Sequence, residues 1–176
     1  MKTIISLGSL CLLMLMVFSC NPSKQQNETT AKNQAVFEKN IATFNEMLKG
    51  FAEEDSNKFM AVFADSLKWS GPDKIKLDDY ESKEVLKVAL DGYMQAYDNH
   101  ELKDKLFFAG SVYSSRQTSD DPNAIRVFGN WHHTHTESGV DVMHKWVGIV
   151  WFNEDGEIYQ FNDFFDVGGF SVQHLQ

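Results

Sequence analysis

The sequence predicts an α+β fold in which helices come first in the chain and one curved antiparallel sheet follows them. Two patterns predict this order. Apolar residues recur at helical spacing in the first part, and three segments rich in Val, Ile, Phe, Trp and Thr lie between residues 126 and 166, joined by glycine-containing turns. The length of 176 residues and a hydrophobic content of 43% allow one domain with a single core, preceded by a leader.

The first twenty residues are predicted to be a targeting signal. Lys2 precedes an apolar run, Ile4–Phe18, which is shorter than the roughly 20 residues that a membrane-spanning helix needs. The run ends in Val17-Phe18-Ser19-Cys20, which resembles the lipobox of bacterial lipoproteins, although Phe18 is bulkier than usual there. The resemblance implies a signal peptide over residues 1–19 and lipidation of Cys20. The alternative is an ordinary cleaved signal in which Cys20 is incidental.

The cysteine count fits a lipid anchor. Cys11 would be removed with the leader, so Cys20 would be the single cysteine of the mature chain and no intramolecular disulfide would form. Acyl chains on Cys20 would then attach the protein to a membrane of the bacterial cell envelope, with the outer membrane expected and its side left open. Residues 20–32 are polar and are predicted to form a flexible tether.

Three helices are predicted. The first covers Asn33–Glu54, where an apolar stripe recurs at spacings of four and three: Phe37, Ile41, Phe44, Leu48 and Phe51. The second is short and capped by Ser56, and it carries apolar residues as far as Phe63. The third begins at a capping box formed by Asp78 and Glu81 and extends to about residue 98. Its buried stripe is Leu86, Ala89, Leu90, Tyr93 and Tyr97.

The strands follow from short β-rich runs bounded by turn residues. A short strand is predicted at Leu67–Trp69 and a longer one near Leu106–Tyr113, which a polar loop over residues 114–123 connects to the three glycine-joined segments. Those segments are predicted as a β-meander over residues 126–137, 140–152 and 157–166. Residues 167–176 contain two glycines and are predicted to be a loosely held C-terminal extension.

Several motifs occur together in an informative order. The run FAEEDSNKFMAVFADSLKWSGPD is followed by a helix, then by Gly129-x-Trp131, then by WFNEDGEI and a final DFFD. This order resembles the SnoaL-like branch of the nuclear transport factor two-like superfamily, and the resemblance covers Phe37–Asp166. It implies a domain over residues 33–166 in which a strongly bent sheet wraps around the helices as a cone-shaped α+β barrel with an apolar pocket open at one end. The family includes ketosteroid isomerases, polyketide cyclases, dehydratases and epoxide hydrolases, together with non-catalytic binding and dimerising modules.

Turn lengths give a predicted register for the meander. A two-residue turn at Ser138-Gly139 places His133 opposite His144, and a four-residue loop at Asn153–Gly156 places Asp163 opposite Trp146. One strand face then collects Trp131, His133, His135, His144, Trp146, Val150, Phe161, Asp163 and Phe165. The resemblance directs this face towards the pocket.

The resemblance also shows a departure from the ketosteroid isomerases. It places Gly148 where those enzymes carry the acid of the oxyanion hole. It places Gly71 near their general base, with Asp73 two residues away. The isomerases' catalytic pair is therefore absent in register, which counts against a steroid-type isomerisation.

The candidate catalytic residues are His133, His144 and Asp163, which have the chemistry for acid–base work and are predicted to hydrogen-bond one another. The candidate ligand-binding residues are Trp69, Trp131, Trp146, Phe161, Phe165 and Tyr93. A zinc site of His133, His135, His144 and Asp163 is an alternative, but His135 lies near the hairpin tip, so neither a metal nor a cofactor is expected.

Three functions remain open at this stage. The favoured one is a lipid-anchored domain that binds a small apolar or aromatic molecule. The alternatives are an acid–base enzyme of the isomerase, dehydratase or cyclase type, which would use His144 or His133 with Asp163, and a structural module for dimerisation or partner docking. The net charge of −9 argues against nucleic acid as a partner. An apolar outer strand face predicts a homodimer through Met143, Val147, Ile149 and Trp151.

Overall fold

The computed structural model describes residues 22–76, 78–110 and 121–175, with side chains from residue 29 onwards. The predicted signal peptide, Cys20, the predicted strand end at Tyr113 and most of the polar loop that follows it lie outside the described residues. A boundary between two structural units falls between Lys32 and Asn33, and the unit that begins at Asn33 contains the sheet. Within the described ranges, no helix has both the length and the hydropathy needed to cross a membrane.

Helices lead and a five-stranded sheet follows, which confirms the predicted α+β order. The sheet order is β1-β5-β4-β3-β2, with β1 parallel to β5 and the other pairs antiparallel, so the sheet is mixed where the sequence predicts an antiparallel one. The elements are α1 (Pro22–Ala52), α2 (Ser56–Met60), β1 (Phe63–Ser70), α3 (Lys83–Ala96), β2 (Tyr97–Ala109), β3 (Ala124–His135), β4 (Asp141–Phe152), β5 (Ile158–Phe164), α4 (Val167–Ser171) and a 3-10 helix (Gln173–Leu175).

The core forms where the apolar stripes of α1 and α3 meet the inner face of the sheet. Phe44 and Phe51 of α1 and Leu86 and Leu90 of α3 are buried in one cluster with residues of all five strands. Helix α1 begins at Pro22 and not at Asn33, because the polar residues before the stripe include strong helix formers that extend a helix already nucleated by its buried part.

The second helix differs from its prediction at both ends. Asp55, and not Ser56, is the N-cap, since its side chain accepts a hydrogen bond from the backbone N–H of Lys58 at 3.0 Å. The helix ends at Met60, and Phe63 begins β1 in place of continuing the helix. Strand β1 is therefore longer than the predicted Leu67–Trp69.

The predicted capping box of the third helix does not form. Helix α3 begins at Lys83 after Ser82, and Asp78 and Glu81 lie before it. Glu81 instead pairs through its backbone with Trp69, with N–O distances of 2.9 and 2.7 Å. This bridge ties the segment before α3 to the free edge of β1.

Strand β2 begins at Tyr97, directly after α3, well before the predicted Leu106. Asn99 and Asp104 have left-handed backbone conformations, with φ of +57° and +53°. The pairing with β3 shifts at both positions. These bulges conceal the strand from a pattern search, because they break its period of two.

The β3–β4 register differs from the prediction by two residues. The connecting loop covers residues 136–140 and is longer than the predicted turn, so Trp131 faces His144 and His133 faces Val142. A shift of two residues leaves every side chain on its predicted face, because alternate residues of a strand point to the same side.

The β4–β5 register also shifts by two residues. Asp163 lies opposite Gly148 and not opposite Trp146. One residue of the shift comes from the loop, which ends at Glu157, and the other from a bulge where the pairing slips between Trp151 and Phe152. Asp163 again keeps its predicted face but has different neighbours.

The C-terminal residues pack against the sheet, where the sequence predicts a loosely held extension. Asp166 caps α4 by accepting a hydrogen bond from the backbone N–H of Gly169 at 2.9 Å, and Phe170 is buried. The Gln173 amide pairs with the backbone of Met143, accepting from its N–H at 3.0 Å and donating to its carbonyl at 2.8 Å. The tail is therefore held next to the inner face of β4.

Candidate functional site

A cavity of about 570 Å³ lies between α1, α3 and the inner face of the sheet. Its walls are mostly apolar, and Phe, Tyr and Trp side chains form the largest share of them. All nine predicted catalytic and ligand-binding residues line it: Trp69, Tyr93, Trp131, His133, His144, Trp146, Phe161, Asp163 and Phe165. The alternation of residues along the strands explains this result, since the register errors preserve the face.

Helix α4 supplies a wall that the sequence does not predict. Phe170 lines the cavity beside Val167 and Ser171, and its ring centroid lies 4.6 Å from that of His144 and 5.9 Å from that of Tyr93. An aromatic residue directly after the two glycines of the tail is the sequence signal that indicates such docking.

Asp163 lines the cavity from β5. A Cβ atom at Gly148, its cross-strand partner, would come within 2.2 Å of the Trp146 ring, so glycine lets that ring lie flat across β4. The indole N–H of Trp69 donates to Oδ2 of Asp163 at 3.5 Å, while Oδ1 is buried and has no partner among the described residues. Burial raises the pKa of Asp163 to about 7, against the Trp69 hydrogen bond, which lowers it, and with a small contribution from Asp73.

The prediction that Asp163 forms hydrogen bonds with His133 and His144 is wrong. Within the described part of the chain, Asp163 pairs with Trp69, His133 pairs with another histidine, and Nδ1 of His144 has no partner. The register is the reason. The step from His144 to Gly148 along β4 is about 13 Å at the rise of an extended strand, and Asp163 lies opposite Gly148.

His133 and His144 still lie side by side, away from Asp163. Their rings are nearly parallel, with centroids 5.5 Å apart, and the Trp131 ring also stacks on that of His133, with centroids 5.4 Å apart. Burial lowers the pKa of His144 to about 4. Burial, with the neighbouring histidines, lowers that of His133 to about 2. Both imidazoles are therefore neutral at pH 7 and offer hydrogen bonds but no positive charge.

A third buried histidine, His100 of β2, was missed by sequence reasoning. Its Nδ1 lies 2.9 Å from Nδ1 of His133, and its ring stacks on Phe51 with centroids 4.1 Å apart. Burial lowers the pKa of His100 to about 4. The left-handed Asn99 hides its inward orientation from the sequence pattern.

The described residues do not assemble a metal site, since no three His, Cys, Asp or Glu side chains among them are placed to hold an ion. His135 lies apart from the cavity, with Nδ1 2.8 Å from the Ser138 hydroxyl and its ring stacked on His174 at 4.1 Å. The zinc alternative therefore lacks its third histidine.

Sequence comparisons find no relative. No protein-family model matches the chain, and a search of curated proteins finds no match. Solved structures do resemble it. A protein from Xanthomonas campestris assigned as a polyketide cyclase superposes with a TM-score of 0.61 at 11% identity, covering 79% of this chain and 98% of its own.

Two further structures give the same fold. A nuclear transport factor two-like protein from Burkholderia thailandensis has a TM-score of 0.55 at 14% identity, covering 78% of this chain and 97% of its own. An epoxide hydrolase of the LEH-like type from M. tuberculosis has a TM-score of 0.54 at 14% identity, with coverages of 78% and 90%. At such low identities the superpositions establish the fold alone. On that basis the chain contains a domain of the nuclear transport factor two-like fold.

Proposed function

We propose that the protein binds a small, largely apolar or aromatic molecule in the cavity, as a lipid-anchored domain of the bacterial cell envelope. The cavity itself supports this function most directly. Its volume of about 570 Å³ falls in the range of small-molecule sites, roughly 300–1,000 Å³, and such sites are apolar with a few polar groups that orient the ligand. A structural module would instead be expected to fill this space with side chains.

The polar atoms at the cavity suggest how a ligand is oriented. Nε2 of His133, Nδ1 of His144 and Oδ1 of Asp163 are buried and have no partner in the described ranges. Leaving such an atom unsatisfied costs about 1–3 kcal/mol, so ligand oxygens or nitrogens that reach them gain affinity. Because both imidazoles are neutral, the best ligand is uncharged, with an apolar body between two polar ends.

Catalysis is the second candidate function, and the Asp163 carboxyl favours it. A group with a pKa of about 7 exchanges protons most effectively near neutral pH. Asp163 also lies opposite Gly148, the position at which the resemblance places an oxyanion-hole acid. If the protein is an enzyme, Asp163 is the acid–base residue of an isomerase, dehydratase or cyclase, and neutral His144 and His133 orient the substrate.

Filling the cavity tests the proposed function. Leu90→Trp adds bulk from a buried position that lines the cavity, whereas Val88→Trp adds the same side chain to an α3 position that is 72% exposed. With 2-acetylnaphthalene as the probe, titration calorimetry is expected to show at least a roughly tenfold weaker Kd for Leu90→Trp, because the indole occupies ligand space.

Val88→Trp is expected to bind this probe like the wild type and serves as the control. Thermal melts of both variants show whether the fold is retained. Equal probe affinity in all three folded proteins would rule out the cavity as the binding site.

The anchor is tested through Cys20. Cys20→Ala removes the only thiol that lipidation can use after the leader is cleaved, so the protein is expected to move from the membrane fraction to the soluble fraction with its domain folded. Fractionation and intact-mass measurement check this. Normal membrane retention with an unmodified mass would contradict the lipoprotein proposal.

A homodimer through the outer sheet face is also proposed, with one correction to the predicted surface. Ile149 is only 3% exposed, so it cannot supply much interface. The exposed apolar residues lie further towards β2, where Leu106 pairs with Phe128 and Phe128 with Val147, and Phe108 packs edge-on against Phe128. We expect a dimer mass by sedimentation at micromolar concentration and a monomer for Phe128→Glu. A monomeric wild type would contradict this interface.

A further inference from the structure

His100 is buried behind the cavity wall and does not line the cavity itself, although its ring stacks on Phe51, which does. It is 2% exposed, and the 2.9 Å contact between its Nδ1 and Nδ1 of His133 is the hydrogen bond that connects it to a cavity residue. His133 is 3% exposed and lines the cavity. The pair therefore joins a residue that a ligand can reach to one that it cannot.

The backbone of β2 is shaped to place His100 there. In a regular strand, His100 and Tyr97 would point to opposite faces. The left-handed conformation of Asn99 and the register shift after Asp98 turn both inwards. Asn99 is held in this conformation by Thr134, whose hydroxyl accepts from its amide at 3.3 Å, and by Glu54, whose carboxylate accepts from its backbone N–H at 3.3 Å.

The contact between two Nδ1 atoms limits the protonation states. In neutral imidazoles one Nδ1 must carry the proton and the other must accept it. If His133 donates, His100 carries its proton on Nε2, where a buried N–H has no partner among the described residues. If His100 donates, its Nε2 is a bare lone pair, and the unpaired N–H belongs to Nε2 of His133, a residue that lines the cavity. Either arrangement leaves one N–H without a partner among the described residues. The backbone carbonyl of Tyr97 also accepts a hydrogen bond from the His100 side chain, and because Nε2 of His100 has no partner, this proton is carried by Nδ1. The second arrangement is therefore favoured.

We propose that His100 is a positioning residue: its Nδ1–H donates to Nδ1 of His133 and fixes His133 in the tautomer that offers Nε2–H to the ligand. The inference rests on the proposed binding function and makes it more specific. It assigns a hydrogen-bond acceptor, such as a carbonyl or ether oxygen, to the ligand end that lies against His133. The Trp131 and His144 rings both stack on His133 and hold the imidazole plane, so the N–H direction is fixed as well.

Nitrogen NMR of histidine-labelled protein tests the tautomer without any ligand. His100→Phe keeps a ring against Phe51 but removes the donor, whereas His100→Asn places an amide nitrogen near the position of Nδ1 and restores it. In the wild type and in His100→Asn, His133 is expected to show a protonated Nε2 and an unprotonated Nδ1. His100→Phe is expected to lose this fixed pattern. A protonated Nδ1 on wild-type His133, or an unchanged pattern in His100→Phe, would overturn the inference.

A matched ligand pair tests the consequence. 2-Acetylnaphthalene and 2-isopropenylnaphthalene differ in replacing the carbonyl oxygen by a methylene group of similar shape. The ratio of their affinities is expected to fall roughly fivefold in His100→Phe and to stay unchanged in His100→Asn. A purely structural role of His100 would weaken both ligands equally and would contradict the inference. If the wild type bound neither naphthalene, the proposed function would fail, and the NMR pattern would still decide the role of His100 separately.

Discussion

Asp163→Asn is expected to stabilise the folded protein at pH 8 by about 4 kcal/mol and at pH 5 by only about 2 kcal/mol. The carboxyl has a pKa of about 7 when folded, against 3.8 as its ordinary value. Between these values the unfolded chain gives up the proton and the folded chain keeps it, so stability falls by about 1.4 kcal/mol for each pH unit gained. Above pH 7 this loss of stability is complete. The Asn side chain cannot ionise, so the variant does not lose this stability.

Urea denaturation at several pH values between 5 and 8 measures this difference. Asp155→Asn is the matched control, because Asp155 is exposed in the β4–β5 loop and its replacement is expected to change stability by less than about 0.5 kcal/mol. A destabilised Asp163→Asn protein at pH 8, or a difference that does not vary with pH, would show that Asp163 ionises freely in the folded state.

The same variant separates the two candidate functions. Asn retains the shape of the carboxyl but cannot exchange a proton. If Asp163 is an acid–base residue, the wild type catalyses deuterium exchange at the methyl group of 2-acetylnaphthalene, and Asp163→Asn loses this exchange while still binding the probe. Binding by both proteins with exchange by neither leaves the binding function alone.

The second large effect is a loss of stability in mild acid. His100, His133 and His144 have ordinary pKa values of 6.5 and folded values of about 4, 2 and 4. Below pH 6.5 the unfolded chain therefore takes up protons that the folded chain refuses, and stability falls as pH falls. For each pH unit lost, the three histidines together lower the stability of the fold by about 4 kcal/mol, and Asp163 offsets about 1.4 kcal/mol of this loss.

A net loss of about 2–3 kcal/mol per pH unit exhausts the usual stability of a domain, about 5–15 kcal/mol, within a few units. Unfolding between pH 6 and 4 is therefore expected, and circular dichroism with urea at each pH measures it. His144→Gln removes one of the three groups and is expected to reduce the slope by about 1 kcal/mol per pH unit. Constant stability from pH 7 to pH 4.5 would mean that these imidazoles are not held neutral.

The lining of the site is largely predictable from sequence because strand alternation determines it. Turn and loop lengths were misjudged at both hairpins, yet each error amounted to two residues, and Trp131, Trp146 and Asp163 kept their faces. The pairing inside the site was not predictable in the same way. A longer loop and a single bulge moved Asp163 from His144 to Trp69, and neither feature has a signature in the hydrophobic pattern.

Two functional residues depend on features that periodicity does not record. His100 faces inwards only because Asn99 adopts a left-handed conformation within β2. Phe170 reaches the cavity because Asp166 caps a short helix and Gln173 ties the tail to Met143. Both depend on local backbone geometry and side-chain caps, which single-sequence reasoning assigns to loops.

Methionine-methyl NMR tests ligand binding in the cavity most directly, because the chain contains its own control. Met47 lines the cavity from α1, whereas Met143 lies on the outer face of β4 and is 56% exposed. Titration with 2-acetylnaphthalene is expected to shift the Met47 methyl signal saturably with one probe per chain and to leave Met143 unchanged. A Met47 signal that stays fixed while Met143 and other surface methyls shift without saturation would contradict a ligand site inside the domain.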